Sequence, residues 1–134
     1  MVLGRLASFA AKRLLEGEQV VIVNAEEAVV SGRRNATFDE YDAWLETRNV
    51  ANPRKGPVHL RLPEELVRRA VRGMLPFDKS RGKEAFRRLR VHRGIPSELS
   101  GKEMVQVPGA SLECLGTRRF IKVGELSKHL GARF

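Results

Sequence analysis

The sequence predicts a single α/β domain, and three observations lead to this fold class. The chain has 134 residues, the length of one domain, and 42% of them are hydrophobic, which is enough for a core. Residues 3–16 carry apolar side chains at helical spacing, and a β-branched run over residues 19–25 follows directly. Such a run is typical of a strand in a parallel sheet that is covered on both faces. A helix that leads into this strand favours an α/β protein.

The first half of the chain is predicted to hold two helices and one or two strands. Gly17 is expected to cap the first helix. Residues 25–30 fit either a short helix or a second extended segment. Thr37 and Glu40 have the spacing of a capping box, so a second helix is expected from there to about residue 48. Its apolar side chains share one face and are expected to be core residues rather than base-stacking platforms: Phe38, Tyr41, Trp44 and Leu45.

A loop over residues 49–61 separates this half from two basic helices. Pro63 suits the first turn of the third helix, and Gly73 and Pro76 bracket its end. The fourth helix is predicted over residues 80–90, with Lys83, Arg87 and Arg90 as its basic stripe. The remaining elements are predicted to be short: strands over Met104–Val107 and Phe120–Val123, and a closing helix over Gly124–Leu130.

The positive charge is concentrated in residues 54–93, which we call the basic segment. Its thirteen Lys and Arg residues against four acidic residues account for the whole formal net charge of +9. Dense charge of one sign on an otherwise neutral chain predicts a surface for nucleic acid or another polyphosphate. Arginine predominates, and its planar fork of donors matches phosphate oxygens. The candidate binding residues are Arg54, Lys55, Arg61, Arg68, Arg69, Arg72, Lys79, Arg81, Lys83, Arg87, Arg88, Arg90 and Arg93.

No pattern of a catalytic or metal site is present in the sequence. The three histidines share no metal-ligand spacing with cysteine or carboxylate residues, and Cys114 is the one cysteine. There is neither a phosphate-binding loop nor a dinucleotide fingerprint. The longest apolar run, residues 20–23, is far too short for a membrane-spanning helix, and the first residues lack the charged-then-apolar pattern of a leader, so we do not expect secretion. We therefore expect a cytosolic protein with no metal, cofactor, small-molecule substrate or membrane partner.

Several motifs resemble the universal ribosomal protein L-thirteen family of the large subunit. They are Leu-Gly-Arg-Leu-Ala-Ser at residues 3–8, Val-Val-Ile-Val-Asn-Ala at 20–25 and Val-Arg-Gly-Met-Leu-Pro at 71–76. Further matches resemble its archaeal and eukaryotic branch: Asn-Pro-Arg-Lys-Gly-Pro at 52–57 with His59, Arg-Gly-Lys-Glu-Ala-Phe at 81–86, Gly-Ile-Pro at 94–96 and the segment 105–109. The resemblance covers nearly the whole chain.

This resemblance implies a three-layer α/β/α fold around a mostly parallel sheet of about four strands. It also implies a structural role in the cytoplasmic ribosome, in contact with large-subunit ribosomal RNA and neighbouring ribosomal proteins, without catalysis. Family members generally have a strand before the first motif, whereas only Met1 and Val2 precede it here. Loss of an interior strand would expose residues 20–23, so we expect the chain to start downstream of the natural one.

Two other functions remain as alternatives. An enzyme acting on a phosphorylated substrate would use the arginines as a phosphate clamp, but it needs a base or nucleophile beside the basic helices, and the sequence identifies none. A sequence-specific DNA regulator is less favoured, because the two basic helices lack the short linkage of a helix-turn-helix unit.

Overall fold

The computed structural model describes all 134 residues and contains five α-helices and four strands. The helices are α1 (Leu3–Leu15), α2 (Arg34–Glu46), α3 (Pro63–Gly73), α4 (Ser80–Arg87) and α5 (Val123–His129). The strands are β1 (Val20–Ile22), β2 (Val29–Ser31), β3 (Leu89–Val91) and β4 (Phe120–Lys122). This mixed composition confirms the predicted α/β class. None of the helices is long and apolar enough to cross a membrane.

The strands form two small sheets where the family resemblance implies one sheet of about four strands. β1 pairs with β3 in parallel, with Val20 opposite Leu89. β2 pairs with β4 in antiparallel fashion, and an isolated parallel bridge joins Val2 to Val29. Each named strand has three residues, so each pairing contributes few backbone hydrogen bonds. Side-chain packing between the helices and strands therefore provides most of the cohesion of the fold.

The core lies where α3 packs against both α1 and α5, and where these helices pack against the short strands. Leu14 and Val67 are completely buried, as are Leu89 in β3 and Val123 at the start of α5. α1 ends as predicted, because Gly17 adopts a positive φ of 97° after the helix and its N–H donates to the Leu14 carbonyl. The amphipathic patterns of α1 and α3 thus correspond to their buried faces.

The second helix starts earlier than predicted. α2 begins at Arg34, so Thr37 lies inside the first turn and the proposed capping box is wrong. The Thr37 hydroxyl instead donates to the Arg33 carbonyl at 3.1 Å, one turn back along the chain. Residues 25–30 contain both of the alternatives, a 3-10 turn over Ala25–Glu27 followed by β2. The apolar side chains predicted for the core face of α2 are half-buried. Phe38, Tyr41 and Leu45 pack against the core, whereas the Trp44 ring meets His59 edge to face.

Three other predicted elements are wrong. The fourth helix ends at Arg87 rather than at residue 90, because Leu89 is buried in β3 and pairs with β1. Residues 104–107 do not form a strand, and Val105 is 77% exposed. β1 is not covered on both faces, since it pairs with one strand only and Val21 is 45% exposed.

Candidate nucleic-acid interface

The basic segment forms the loop before α3, the helices α3 and α4, and β3. In α3, Leu66, Val67 and Val71 are buried, whereas the arginines on the other faces are exposed. α4 likewise buries Ala85 and exposes its cations. Of the thirteen predicted binding residues, twelve are exposed, and only Arg88 is half-buried. The two helices therefore bury one face each and present positive charge to solvent.

None of these thirteen cations forms a salt bridge. The five ion pairs of the protein all lie outside the basic segment: Arg13–Glu16, Arg13–Glu18, Arg34–Glu125, Lys122–Glu27 and His129–Asp42. Unpaired cations on neighbouring helices repel one another, and nearby phosphates would remove that cost. The basic segment therefore has an excess of positive charge in the folded structure as well as in the sequence.

Two arginines of α3 lie against aromatic rings, one in α4 and one in the turn that precedes it. The Arg68 guanidinium lies 4.7 Å from the centre of the Phe86 ring, and that of Arg72 lies 4.1 Å from the centre of the Phe77 ring. The two rings meet edge to face with their centroids 5.5 Å apart. Cation–π contacts of this kind contribute about 0.5–1 kcal/mol each when exposed. They hold Arg68 and Arg72 side by side while leaving their hydrogen-bond donors free.

Arg69 extends away from this pair towards α2. Its guanidinium lies 5.6 Å from the centre of the Trp44 ring and lines a groove of about 390 Å³ with Tyr41 and Leu66. Burial raises the pKa of Tyr41 above its ordinary value of 10.0, the Glu40 carboxylate raises it further, and Arg69 opposes both. The arginine stripe that the sequence predicts on α3 is thus divided between two surfaces.

Arg88 and Arg81 contact the C-terminal end of α1. Arg88 donates through Nη2 to the Leu14 carbonyl at 2.6 Å, and Arg81 reaches the Leu15 carbonyl at 3.4 Å. Cations are favourable at the negative end of a helix dipole, and these bonds satisfy carbonyls that have no partner within the helix. Arg88 is therefore engaged in holding the turn after α4 against α1.

The other predicted residues surround these helices. Arg90 lies on β3 rather than on the stripe of α4, and Arg93 packs 5.1 Å from the centre of the Phe134 ring. Arg61 lies beside Gly131 at the end of α5, and its carbonyl accepts a hydrogen bond from Ser127. The remaining five side chains have no hydrogen-bond or ion-pair partner: Arg54, Lys55, Lys79, Lys83 and Arg87.

A second group of arginines escaped the sequence analysis. Arg33, Arg34, Arg118 and Arg119 line an open groove of about 820 Å³ that contains no residue of the basic segment. Their two pairs are more than eighty positions apart in the chain, so no charge window contains both. No local sequence signal could have found them, because only the antiparallel pairing of β2 with β4 brings both pairs to one end of the sheet.

No group of three His, Cys, Asp or Glu side chains is arranged to hold a metal ion. Cys114 is free and exposed, with its Sγ 3.4 Å from the Ser111 hydroxyl. His129 contacts the Asp42 carboxylate at 2.9 Å and stacks on the Phe38 ring, with their centroids 4.0 Å apart. This histidine joins α5 to α2.

The surface is therefore a set of exposed, unpaired guanidinium and ammonium groups on a packed helical support. In a comparison with known proteins, the family model described as ribosomal protein L13 matches residues 1–98 of the chain. The chain belongs to the ribosomal protein L13 family. This confirms the resemblance drawn from the motifs, and it confirms the expectation of a ribosomal protein rather than an enzyme.

Archaeal members of the L13 family match the chain over almost its whole length. The large ribosomal subunit protein uL13 of Methanococcoides burtonii is 46% identical over 100% of this chain and 94% of its own length. The protein of the same name from Methanocaldococcus jannaschii is 46% identical, over 99% of this chain and 93% of its own. That from Archaeoglobus fulgidus is 45% identical over 98% of this chain and 83% of its own.

Proposed function

We propose that this protein is a structural constituent of the large ribosomal subunit that binds large-subunit ribosomal RNA through the basic segment and supports subunit assembly. Its partners are that RNA and neighbouring ribosomal proteins, and it acts in the cytoplasm within the ribosome. The observation that carries this proposal is that thirteen cations on one continuous segment have no acidic partner, in a chain of the L13 family.

The arrangement suits recognition of RNA through its backbone. RNA helices are recognised mostly through shape, phosphates and 2′-hydroxyls, which requires positioned donors rather than a base-reading helix. Arg68 and Arg72 are oriented by aromatic rings, so binding costs them little conformational entropy. Lys83 and Arg87 extend the same charged surface along α4. Arg54 and Lys55 add two long, exposed cationic side chains from the loop before α3.

The thirteen candidates divide into two roles within this interface. Those without an intramolecular polar partner, such as Lys79, Lys83 and Arg87, are proposed to contact phosphates directly. Arg88 is proposed to anchor the interface, because its guanidinium already donates to the end of α1. Arg81 combines both roles, since its bond to α1 is long at 3.4 Å and its side chain is exposed.

Replacing Arg68, Arg69 and Arg72 together by alanine tests this function. We expect weaker binding to large-subunit ribosomal RNA with the fold intact, because all three side chains are exposed. For the unaltered protein, neutralising about six phosphates gives a slope of log K against log salt on the order of −4 to −5. Filter binding across a salt series measures both quantities.

A matched control removes the same charge elsewhere. Lys12, Lys102 and Arg133 are exposed and lie outside both basic surfaces, so their triple alanine variant also loses three positive charges. Equal affinities of the two triple variants would contradict the proposed interface. A flat salt dependence of the unaltered protein would contradict electrostatic RNA binding altogether.

We also infer that the two small sheets belong to one mostly parallel sheet of about four strands in a three-layer α/β/α fold. The parallel pairing of β1 with β3 supports this arrangement. The parallel bridge between Val2 and Val29 supports it as well, because it gives β2 a parallel neighbour. β1 has one edge without a partner, which leaves room for a further strand beside it.

A further inference from the structure

The pairing of β2 with β4 brings two arginine pairs together at one end of their ladder. Ser31 lies opposite Phe120, and the Gly32 N–H donates to the Arg119 carbonyl at 2.9 Å. Gly32 has a positive φ of 135°, which lets the chain turn from β2 directly into α2. Arg33 and the residues at the start of α2 therefore face the segment that leads into β4. Between them lies the open groove of about 820 Å³, which we call the arginine groove.

Most of the positive charge in the arginine groove is uncompensated. Arg34 is paired with Glu125 at 3.0 Å and lies over the Phe38 ring. The guanidinium groups of Arg33, Arg118 and Arg119 have no hydrogen-bond or ion-pair partner, and all three side chains are exposed. Asp39 is the one acidic residue in the lining. Three free guanidinium groups around one groove repel one another, so the groove favours an anionic ligand.

The side chains of the groove fit a nucleic acid better than an acidic peptide. Phe120 forms part of its wall and is 40% exposed, although it is a large apolar side chain next to a charged surface. An exposed aromatic ring beside free arginines is the combination that binds unpaired bases and their phosphates. The first turn of α2 also has no side-chain cap, so its backbone N–H groups add to the positive potential.

We propose that the arginine groove is a second RNA-binding surface, which holds a single-stranded segment of large-subunit ribosomal RNA with Phe120 stacked on a base. This proposal rests on the proposed function and extends it, because none of the groove residues belongs to the basic segment. Two separate surfaces would allow one small protein to connect two segments of the RNA. The basic segment binds the backbone of one segment, and the arginine groove binds the other.

The test compares three variants of the full chain on in vitro transcribed large-subunit ribosomal RNA. The groove variant carries Arg33→Ala, Arg118→Ala and Arg119→Ala, the segment variant carries Arg68→Ala, Arg69→Ala and Arg72→Ala, and the control carries Lys12→Ala, Lys102→Ala and Arg133→Ala. Filter binding across a salt series measures affinity, and hydroxyl-radical footprinting locates the protected nucleotides. Loss of three phosphate contacts should reduce the salt slope by about 2 and weaken binding about tenfold at moderate salt.

Footprinting separates this proposal from the proposed function. The groove variant should lose protection of one RNA segment and keep that of another, and the segment variant should show the reverse. A groove variant that matches the control in affinity and footprint overturns the second surface, even when the segment variant is impaired. This result would also be expected if an acidic protein occupied the groove. If the unaltered protein itself gives no salt-dependent binding, the proposed function fails instead.

Two further variants keep the test decisive. Arg118→Ala with Arg119→Ala alters only a segment without regular structure, so it preserves folding if Arg33→Ala perturbs α2. Phe120→Leu keeps an apolar residue in β4 but removes the aromatic face. We expect it to weaken binding severalfold without changing the salt slope, because stacking involves no counterion release. Unchanged affinity of Phe120→Leu would overturn the stacking component.

Discussion

The basic segment and the arginine groove are both positively charged but arise in different ways. The first is continuous in sequence and gains its surface from two amphipathic helices whose apolar faces are buried. The second joins residues 33–34 with residues 118–119 and exists only because β2 pairs with β4. The first surface can be predicted from local sequence, because helical spacing separates its basic residues from its apolar ones. The second depends on long-range pairing, which local sequence does not encode.

The two surfaces also differ in how their arginines are held. In the basic segment, aromatic rings and the end of α1 fix Arg68, Arg72 and Arg88. In the arginine groove, only Arg34 is fixed, by Glu125 and Phe38. A fixed guanidinium group loses less entropy on binding, whereas a free one adapts to its ligand. The basic segment should therefore depend more strongly on the packing beneath it.

Gly82→Ala tests that dependence and should have the largest effect. Gly82 faces Pro76, and a Cβ at this position would overlap the Pro76 carbonyl, so α4 would have to move off its support. Overpacking of this kind costs about 1–3 kcal/mol of stability. Because the overlapping atoms belong to the backbone, which moves less easily than a side chain, we expect a loss in the upper part of that range. Urea denaturation measures the free energy of unfolding.

Gly73→Ala is the matched control for this substitution. A Cβ on Gly73 meets nothing within 4 Å, and the residue ends α3. Its replacement should leave stability unchanged or raise it by up to about 1 kcal/mol, because alanine is the better helix former. Equal stability of the two variants would show that α4 does not need this close contact.

Arg88→Ala should have the next largest effect and distinguishes anchored from free cations. Its loss removes the part-buried, charge-assisted hydrogen bond at 2.6 Å to the Leu14 carbonyl, and bonds to charged groups contribute about 1.5–3 kcal/mol. Lys83→Ala and Arg87→Ala, whose side chains have no polar partner, should change stability by less than about 0.5 kcal/mol. Thermal and urea unfolding of the three variants give the comparison.

Two results would contradict this division into an anchoring arginine and free cations. If Arg88→Ala weakens RNA binding and leaves the unfolding free energy unchanged, Arg88 is a contact residue rather than an anchor. If Lys83→Ala destabilises the protein as much as Arg88→Ala, the division of the basic segment into anchored and free cations is wrong.

Apolar spacing and capping residues correctly predicted those helices whose ends are not changed by contacts with distant parts of the chain. The apolar stripe of α1, the glycine after it and Pro63 at the start of α3 all mark boundaries that the structure shares within a residue or two. α4 is different: Arg90 continues the spacing of Lys83 and Arg87, which predicts helix to residue 90. Burial of Leu89 against β1 outweighs that local signal and ends the helix at Arg87.

The candidate site could be predicted from sequence only as a segment, without its internal arrangement. Charge counting identifies residues 54–93, but the positions of the rings decide which arginines act together. Arg68 and Arg72 share a surface because Phe77 and Phe86 lie beneath them. Arg69 has the same neighbours in sequence and extends towards α2. These positions depend on how α2, α3 and α4 are packed, which helical spacing alone does not determine.

The smallest expected effect is a shift in the pKa of Tyr41, measured by absorbance. It tests whether Arg69 and Arg68 lie on different surfaces. Tyr41 is the one tyrosine of the chain, so near-ultraviolet absorbance follows its ionisation alone. Burial and Glu40 raise its pKa above 10.0, and the positive charge of Arg69 lowers it by stabilising the tyrosinate. Arg69→Ala should therefore move the midpoint of the titration upwards. Arg68→Ala, which removes the same charge beside Phe86, should leave it unchanged.

The same titration has a consequence for stability. Because the folded protein holds the Tyr41 proton more tightly than the unfolded chain does, stability from this group is present below pH 10 and falls as the pH rises through the folded pKa. Removing Arg69 should widen the window over which that loss occurs, since the folded pKa then lies further from the unfolded value. Equal upward shifts in both variants would mean that Arg69 and Arg68 share one surface, so that the stripe on α3 is continuous. A downward shift in Arg69→Ala would mean that the charge of Arg69 does not stabilise the tyrosinate.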